Sequence, residues 1–173
     1  VGRSVRSRTD LWHGGDLMGL DMYLSGEKYF VQDFEKKVPD ASLIDENEGR
    51  PLDSEGEHME SAKYRLGYWR KFAPLHHFIV NEFADGVDDC RPIGLGHGDL
   101  MRIADVIERS ALPSDEDCGG CFFGSSEIWA YHRSEAKDHA ATFRAAADWI
   151  EAAPKYDSGA LKQWRSVYYE ASW

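Results

Sequence analysis

The chain has 173 residues, 42% of them hydrophobic and 13% aromatic, with 31 acids against 20 bases and a formal net charge of −11. A chain of this length and apolar content buries one core and excludes wholesale disorder, and no run approaches the roughly 18 apolar residues of a membrane helix. The negative charge disfavours binding to a phosphate backbone, so nucleic acid is not an expected partner.

Residues 1–17 have no apolar periodicity and no strand pattern, and they carry three arginines against two aspartates. The basic start lacks an apolar run behind it, so it does not read as a signal peptide. Strand periodicity begins at Met18-Gly-Leu-Asp-Met-Tyr-Leu24. Gly14-Gly15-Asp16 is encodable as a purine-rich ribosome-binding sequence just before the Met18 codon. The expectation is a disordered or non-native extension over 1–17 and a single domain over 18–173.

Leu20–Leu24 and Lys28–Gln32 alternate like strands, and Ser25-Gly26-Glu27 between them reads as the turn of a β-hairpin. Residues 33–60 hold ten acids against three bases with Pro39, Gly49, Pro51 and Gly56, and 33–62 reads as an acidic, mobile loop. Tyr64–Trp69 reads as a second sheet element. Phe72, Leu75, Ile79 and Phe83 form a stripe at helical spacing, and Pro74 sits where a first turn tolerates it, predicting a helix over 74–83.

Pro92–Leu95 is a short strand candidate, and Gly94-Leu-Gly-His-Gly98 a tight turn leading to Asp99 as N-cap of a helix through Arg109. Cys121–Phe123 and Ile128–Tyr131 read as strands or strand-like links. Ser134 is the expected N-cap of the longest helix, to about Ala153, burying Ala136, Ala140, Phe143, Ala147 and Ile150. Ser166–Ser172 closes the sheet. The expected fold class is α+β: a small mixed or antiparallel sheet with about three packing helices.

Several constellations could carry chemistry. Asp21, Arg70, His76 and Asp89 are candidates for a small hydrolase or anion-binding enzyme, with His76 as general base beside a carboxylate; Asp21, His76 and Asp89 are the candidate catalytic groups, and Asp88 and His77 stand beside them. Carboxylates of this kind could hold magnesium. Cys118-Gly-Gly-Cys121 has the spacing of half a zinc site, which Cys90 and His97 could complete. The pattern is weak, with no second paired motif, and no cofactor is expected. Three cysteines, an odd number, fit a reducing compartment and hence the cytoplasm. Tyr68, Trp69, Arg70 and Lys71 form a basic, aromatic spot and are the binding candidates.

Met18-Gly-Leu-Asp-Met-Tyr-Leu24, Gly67-Tyr-Trp-Arg-Lys71 running into His76 or His77, Asp85–Cys90, Phe122-Phe-Gly124, Tyr168-Tyr169 and the final Ser172-Trp173 together resemble a group of small, uncharacterised bacteriophage and prophage proteins that begin MGLDMYL. The resemblance spans nearly all of 18–173, except 33–63, and departs from the group's pattern at Cys118 and Cys121. It implies a phage accessory protein in a bacterial host and no particular mechanism. A binding module for a host or phage protein is the expected function, with the small enzyme as the alternative.

Overall fold

The computed structural model describes residues 19–32, 61–114, 125–153 and 161–173. The predicted boundary at Met18, the acidic stretch 33–60, the pair Cys118 and Cys121, and the segment Phe122–Gly124 lie outside these residues.

The elements run β1 (Asp21–Gln32), β2 (Ser61–Arg70), α1 (Ala73–Phe83), β3 (Ile93–Leu95), α2 (His97–Glu108), α3 (Ser126–Ser134), α4 (Ala136–Glu151) and β4 (Leu161–Ser172). The sheet order is β2-β1-β4-β3 and every pairing is antiparallel, so the fold is α+β. The first and last strands thus pair at the centre of the sheet, where Asp21 lies opposite Ser172 and Tyr29 opposite Trp164.

Alternation in the strands divides the residues between two faces. Leu20, Met22 and Leu24 from the β1 side meet Trp69 of β2 and Val167, Tyr169 and Ala171 of β4. Against this layer lie Leu75 and Ile79 of α1, Leu100, Ile103 and Ile107 of α2, and Ala140, Phe143 and Ala147 of α4. Each fully buried Leu, Ile or Phe contributes about 1.5–3 kcal/mol, which makes this single layer the main source of stability. Alanines at 140, 146 and 147 let α4 approach its neighbours closely. Arg144 on α4 then reaches Glu108 at 2.6 Å and Asp105 at 3.0 Å on α2. Its guanidinium holds the Glu108 carboxyl below the usual carboxylate range.

Four expectations need correction. The predicted turn at Ser25-Gly26-Glu27 is absent, because β1 runs unbroken through it. Gly26 serves close packing instead: a Cβ there would stand 2.9 Å from both Leu66 Cδ1 and Trp149 Cη2. Ile128–Tyr131 is helical, part of α3, whose N-cap Ser125 accepts from the Ile128 amide at 3.5 Å. The described residues thus form four helices. Ser134 ends α3, where its hydroxyl donates to the Tyr131 carbonyl at 2.7 Å, and α4 begins at Ala136. Asp99 acts one turn inside α2, not at its N-cap: its carboxylate accepts from the amide of the capping Gly96 at 2.9 Å.

At the far end of the sheet's helix-facing side lie two cations. Lys28 is 3% exposed, with its ammonium 4.8 Å from the Tyr64 ring centre. Arg165, opposite it on β4, stands 4.9 Å over the Trp149 ring and donates to the Trp149 carbonyl at 2.8 Å. Aromatic faces attract such cations and let their stems replace apolar side chains.

Candidate functional site

The face of the sheet turned away from the helices carries the other phase of the strand alternation. β1 presents Asp21, Tyr23, Ser25, Glu27 and Tyr29; β2 presents Lys63, Arg65, Tyr68 and Arg70; β4 presents Trp164, Ser166, Tyr168, Glu170 and Ser172. Five large aromatic rings therefore share one surface. Among the described residues no helix covers it.

The rings form two clusters. In the first, Tyr23 lies 5.3 Å from Tyr68, Arg65 stands 5.8 Å over the Tyr23 ring, and the Tyr68 hydroxyl donates to Asp21 at 2.5 Å. Arg70 also approaches Asp21, at 3.8 Å. In the second, Tyr29 stacks on Trp164 at 5.4 Å, donates to Glu27 at 2.6 Å and meets the Tyr168 hydroxyl at 3.3 Å. Between the clusters, the Lys63–Glu170 ion pair at 3.1 Å reaches across the central strand, which there carries only the small Ser25. These contacts hold the rings in place. Tyr68 nevertheless keeps 47% of its surface exposed and Trp164 keeps 40%.

The face is electrically balanced, with three carboxylates (Asp21, Glu27, Glu170) among three cations (Lys63, Arg65, Arg70). The wider body is nearly so: the described residues hold 15 of the 31 acids and 13 of the 20 bases. Most of the chain's negative charge thus belongs to residues outside the described ones. Burial and the hydrogen bond to Asp21 push the Tyr68 hydroxyl up to about 12. Hydrogen bonds to Glu27 and Tyr168 raise Tyr29 as well. Both phenols remain proton donors throughout the physiological range.

The four binding candidates divide between the faces. Tyr68 and Arg70 belong to the open surface, whereas Trp69 and Lys71 do not. Trp69 is 4% exposed and stacks on Phe143 at 5.0 Å, with the two rings 3° from parallel. Lys71 is 8% exposed, has a positive φ of 55°, and ties its amide to the Leu20 carbonyl at 2.7 Å.

The candidate catalytic residues are not brought together. Asp21 and Arg70 meet on the open face, while His76 lies on the helix side of the sheet. His76 does find a carboxylate, that of Asp88, at 3.0 Å from Nε2; its Nδ1 is 2.8 Å from the Tyr169 hydroxyl. Asp88 only accepts, so Nε2 donates to it, and in a neutral ring Nδ1 accepts from Tyr169. Tyr169 is 1% exposed, and burial raises its hydroxyl well above the usual tyrosine range. A hydroxyl so enclosed reaches no substrate, and the chain Tyr169–His76–Asp88 fastens the loop after α1 to the sheet. Asp89 instead holds its neighbour Arg91 at 2.5 Å.

Of the metal candidates, Cys90 and His97 are exposed, on the loop after α1 and at the start of α2. No group of three His, Cys, Asp or Glu side chains among the described residues is arranged to hold a metal ion. No helix among them is long and apolar enough to cross a membrane.

Sequence reasoning missed Tyr23, Tyr29, Arg65, Trp164 and Tyr168 as parts of one surface. The available signal was the alternation itself, since the polar phase of β1 carries Tyr23 and Tyr29 where short polar side chains would serve solubility equally well.

Compared with protein-family models, with curated proteins and with solved structures, the chain matches none.

Proposed function

We propose that this chain is a phage-encoded accessory protein that works by binding a host or phage protein in the bacterial cytoplasm, and that the open face of the sheet is its contact surface. The resemblance of its motifs to small phage proteins supports the origin. The observation that supports the binding surface is the set of five aromatic rings, Tyr23, Tyr29, Tyr68, Trp164 and Tyr168, held on one sheet face by their mutual contacts.

Tyr, Trp and Arg are the residue types that dominate binding energy at protein interfaces, and Tyr with Ser is the composition of antibody contact surfaces. Rings already fixed by neighbours lose little further freedom on binding. The balanced charge favours a protein over a nucleic acid. A phosphate backbone laid across these rings would meet Asp21 beside Arg70, Glu170 beside Lys63, and Glu27.

The test is affinity capture from bacterial host cells with the unaltered chain and with a Tyr68→Ala/Trp164→Ala variant. The unaltered chain is expected to recover a discrete partner. The variant is expected to recover at least tenfold less, since each anchoring ring is worth about 2 kcal/mol or more. Both side chains are more than a third exposed, so thermal unfolding should change by only a few degrees. Equal recovery by the two proteins would refute the surface assignment.

A further inference from the structure

A second polar network, part-buried and distinct from the open face, joins the end of β2 to α3 and α4. Trp69 Nε1 lies 3.1 Å from His139 Nδ1, His139 Nε2 lies 3.2 Å from His132 Nδ1, and His132 Nε2 lies 2.9 Å from the Arg70 carbonyl. The two ends fix every proton between them. An indole nitrogen can only donate and a carbonyl can only accept. His139 therefore accepts at Nδ1 and donates from Nε2, and His132 does the same. Three protons fill three hydrogen bonds, all pointing one way.

We propose that this chain is a proton-operated latch: one added proton unfastens α3 and α4 from the end of β2. A fourth proton finds no acceptor. On His139 Nδ1 it would face the Trp69 N–H, and on His132 Nδ1 it would face the His139 N–H. Either placement sets two donors head to head, so one bond must open.

The surroundings make the rings resist that proton. His132 is 3% exposed and stacks on Phe72 at 4.2 Å, with the planes 8° apart. His139 packs at 5.4 Å from Phe72 and edge-on to Trp69. Burial lowers the pKa of His132 despite its bond to the Arg70 carbonyl. Burial and the neighbouring His132 lower that of His139 to about 4, and Asp138 on α4 offsets this only in part. The other charged or titratable groups nearby are Tyr131, whose ring lies 5.4 Å from His132, Arg133 beside it on α3, Glu135 at the helix junction, and Lys71 and Arg70 at the end of β2. The Arg70 side chain is directed to Asp21 on the other face. His132 also walls a cavity of about 460 Å³ with Phe72, Ile107, Leu112 and Trp129. Release of α3 would open that apolar wall.

The sign follows from linkage. The latch is intact above the ordinary histidine value of 6.5, and the opened state takes up protons first as pH falls. The opening equilibrium therefore rises between 6.5 and about 4, by up to about 300-fold for His139 alone.

The test is nuclear magnetic resonance of the full chain from pH 7.5 to pH 4, following the Trp69 indole N–H and the amide protection of β1 and β4. The Trp69 signal is expected to shift and lose protection on acidification while the sheet amides stay protected. In a His132→Gln/His139→Gln variant, each amide accepts and donates in the same direction without titrating, and the Trp69 signal is expected to become insensitive to pH. Should the double variant not fold, His139→Gln alone is expected to move the transition. A Trp69 signal unchanged down to pH 4 overturns the latch. So does loss of sheet protection together with it, or an acid transition that the glutamine variants leave unaltered.

Discussion

Replacing Trp69 by alanine is expected to destabilise the protein by about 3–5 kcal/mol, the range for deleting a large ring from a tight core. The ring lies flat on Phe143 at 5.0 Å and is 4% exposed. Its site is shaped for it, since a Cβ on Gly67 would stand 2.6 Å from Trp69 Cη2. Alanine would leave a cavity between β2 and α4 and take the donor away from His139 Nδ1. For a chain of this size each kcal/mol is worth about 2–4 °C, so the thermal midpoint should fall by roughly 6–20 °C. Trp69→Phe keeps a ring against Phe143 but loses the donor and part of the indole's bulk, and should cost about 1–3 kcal/mol. Denaturant unfolding of the two variants shows how much of the loss a retained ring restores. Equal losses would show that the ring itself contributes little.

His76→Ala is expected to cost about 2–4 kcal/mol. The imidazole is 5% exposed and bridges two elements, with Tyr169 on one side and Asp88 on the other. Its removal strands the Tyr169 hydroxyl in the core, where an unpaired polar group costs about 1–3 kcal/mol, and adds a small cavity. Tyr169→Phe leaves the His76 Nδ1 without its donor and should cost about 1–2 kcal/mol. Combining the two changes removes both halves of one bond. The double variant should therefore be at least about 1 kcal/mol more stable than the sum of the single losses predicts. Additive losses would show that the two groups do not interact.

Much of the helical layer was legible. The stripes Leu75–Ile79, Leu100–Ile103–Ile107 and Ala140–Phe143–Ala147 repeat at 3.6 residues and face the core where they were expected. The central strand departs from expectation at Ser25-Gly26-Glu27. Gly26 between two strand-like runs resembles a turn, and only the unbroken alternation of Met22, Leu24, Gly26 and Lys28 against Tyr23, Ser25, Glu27 and Tyr29 shows otherwise. A glycine selected for the approach of Trp149 carries the same local signal as one selected for a bend. The binding spot Tyr68–Lys71 was legible only by halves. In a strand, consecutive residues point to opposite faces, so four in a row cannot share a surface.

Other features depended on distance in sequence. His132 and His139 stand on different helices, and His139 in turn meets a tryptophan 70 residues away. Nothing in their spacing marks them as a pair. Asp88 rather than Asp89 reaches His76 because of how the loop after α1 turns, with Asp85 and Cys90 both at positive φ. The rings of the open face come from three strands, with β4 more than a hundred residues from β1, and only the β1–β2 and β1–β4 pairings make them neighbours.

On the proposed function, the open face of the sheet is where a protein partner sits. The most direct measurement places a photo-crosslinking side chain at Tyr68 or Trp164 on that face, and at Arg102 or Glu151 on the helical side, in the full chain inside bacterial host cells. The expected result is an adduct of one defined additional mass from Tyr68 and Trp164 and none of that mass from Arg102 and Glu151. Adducts from the helical positions alone, or from none of the four, would contradict it.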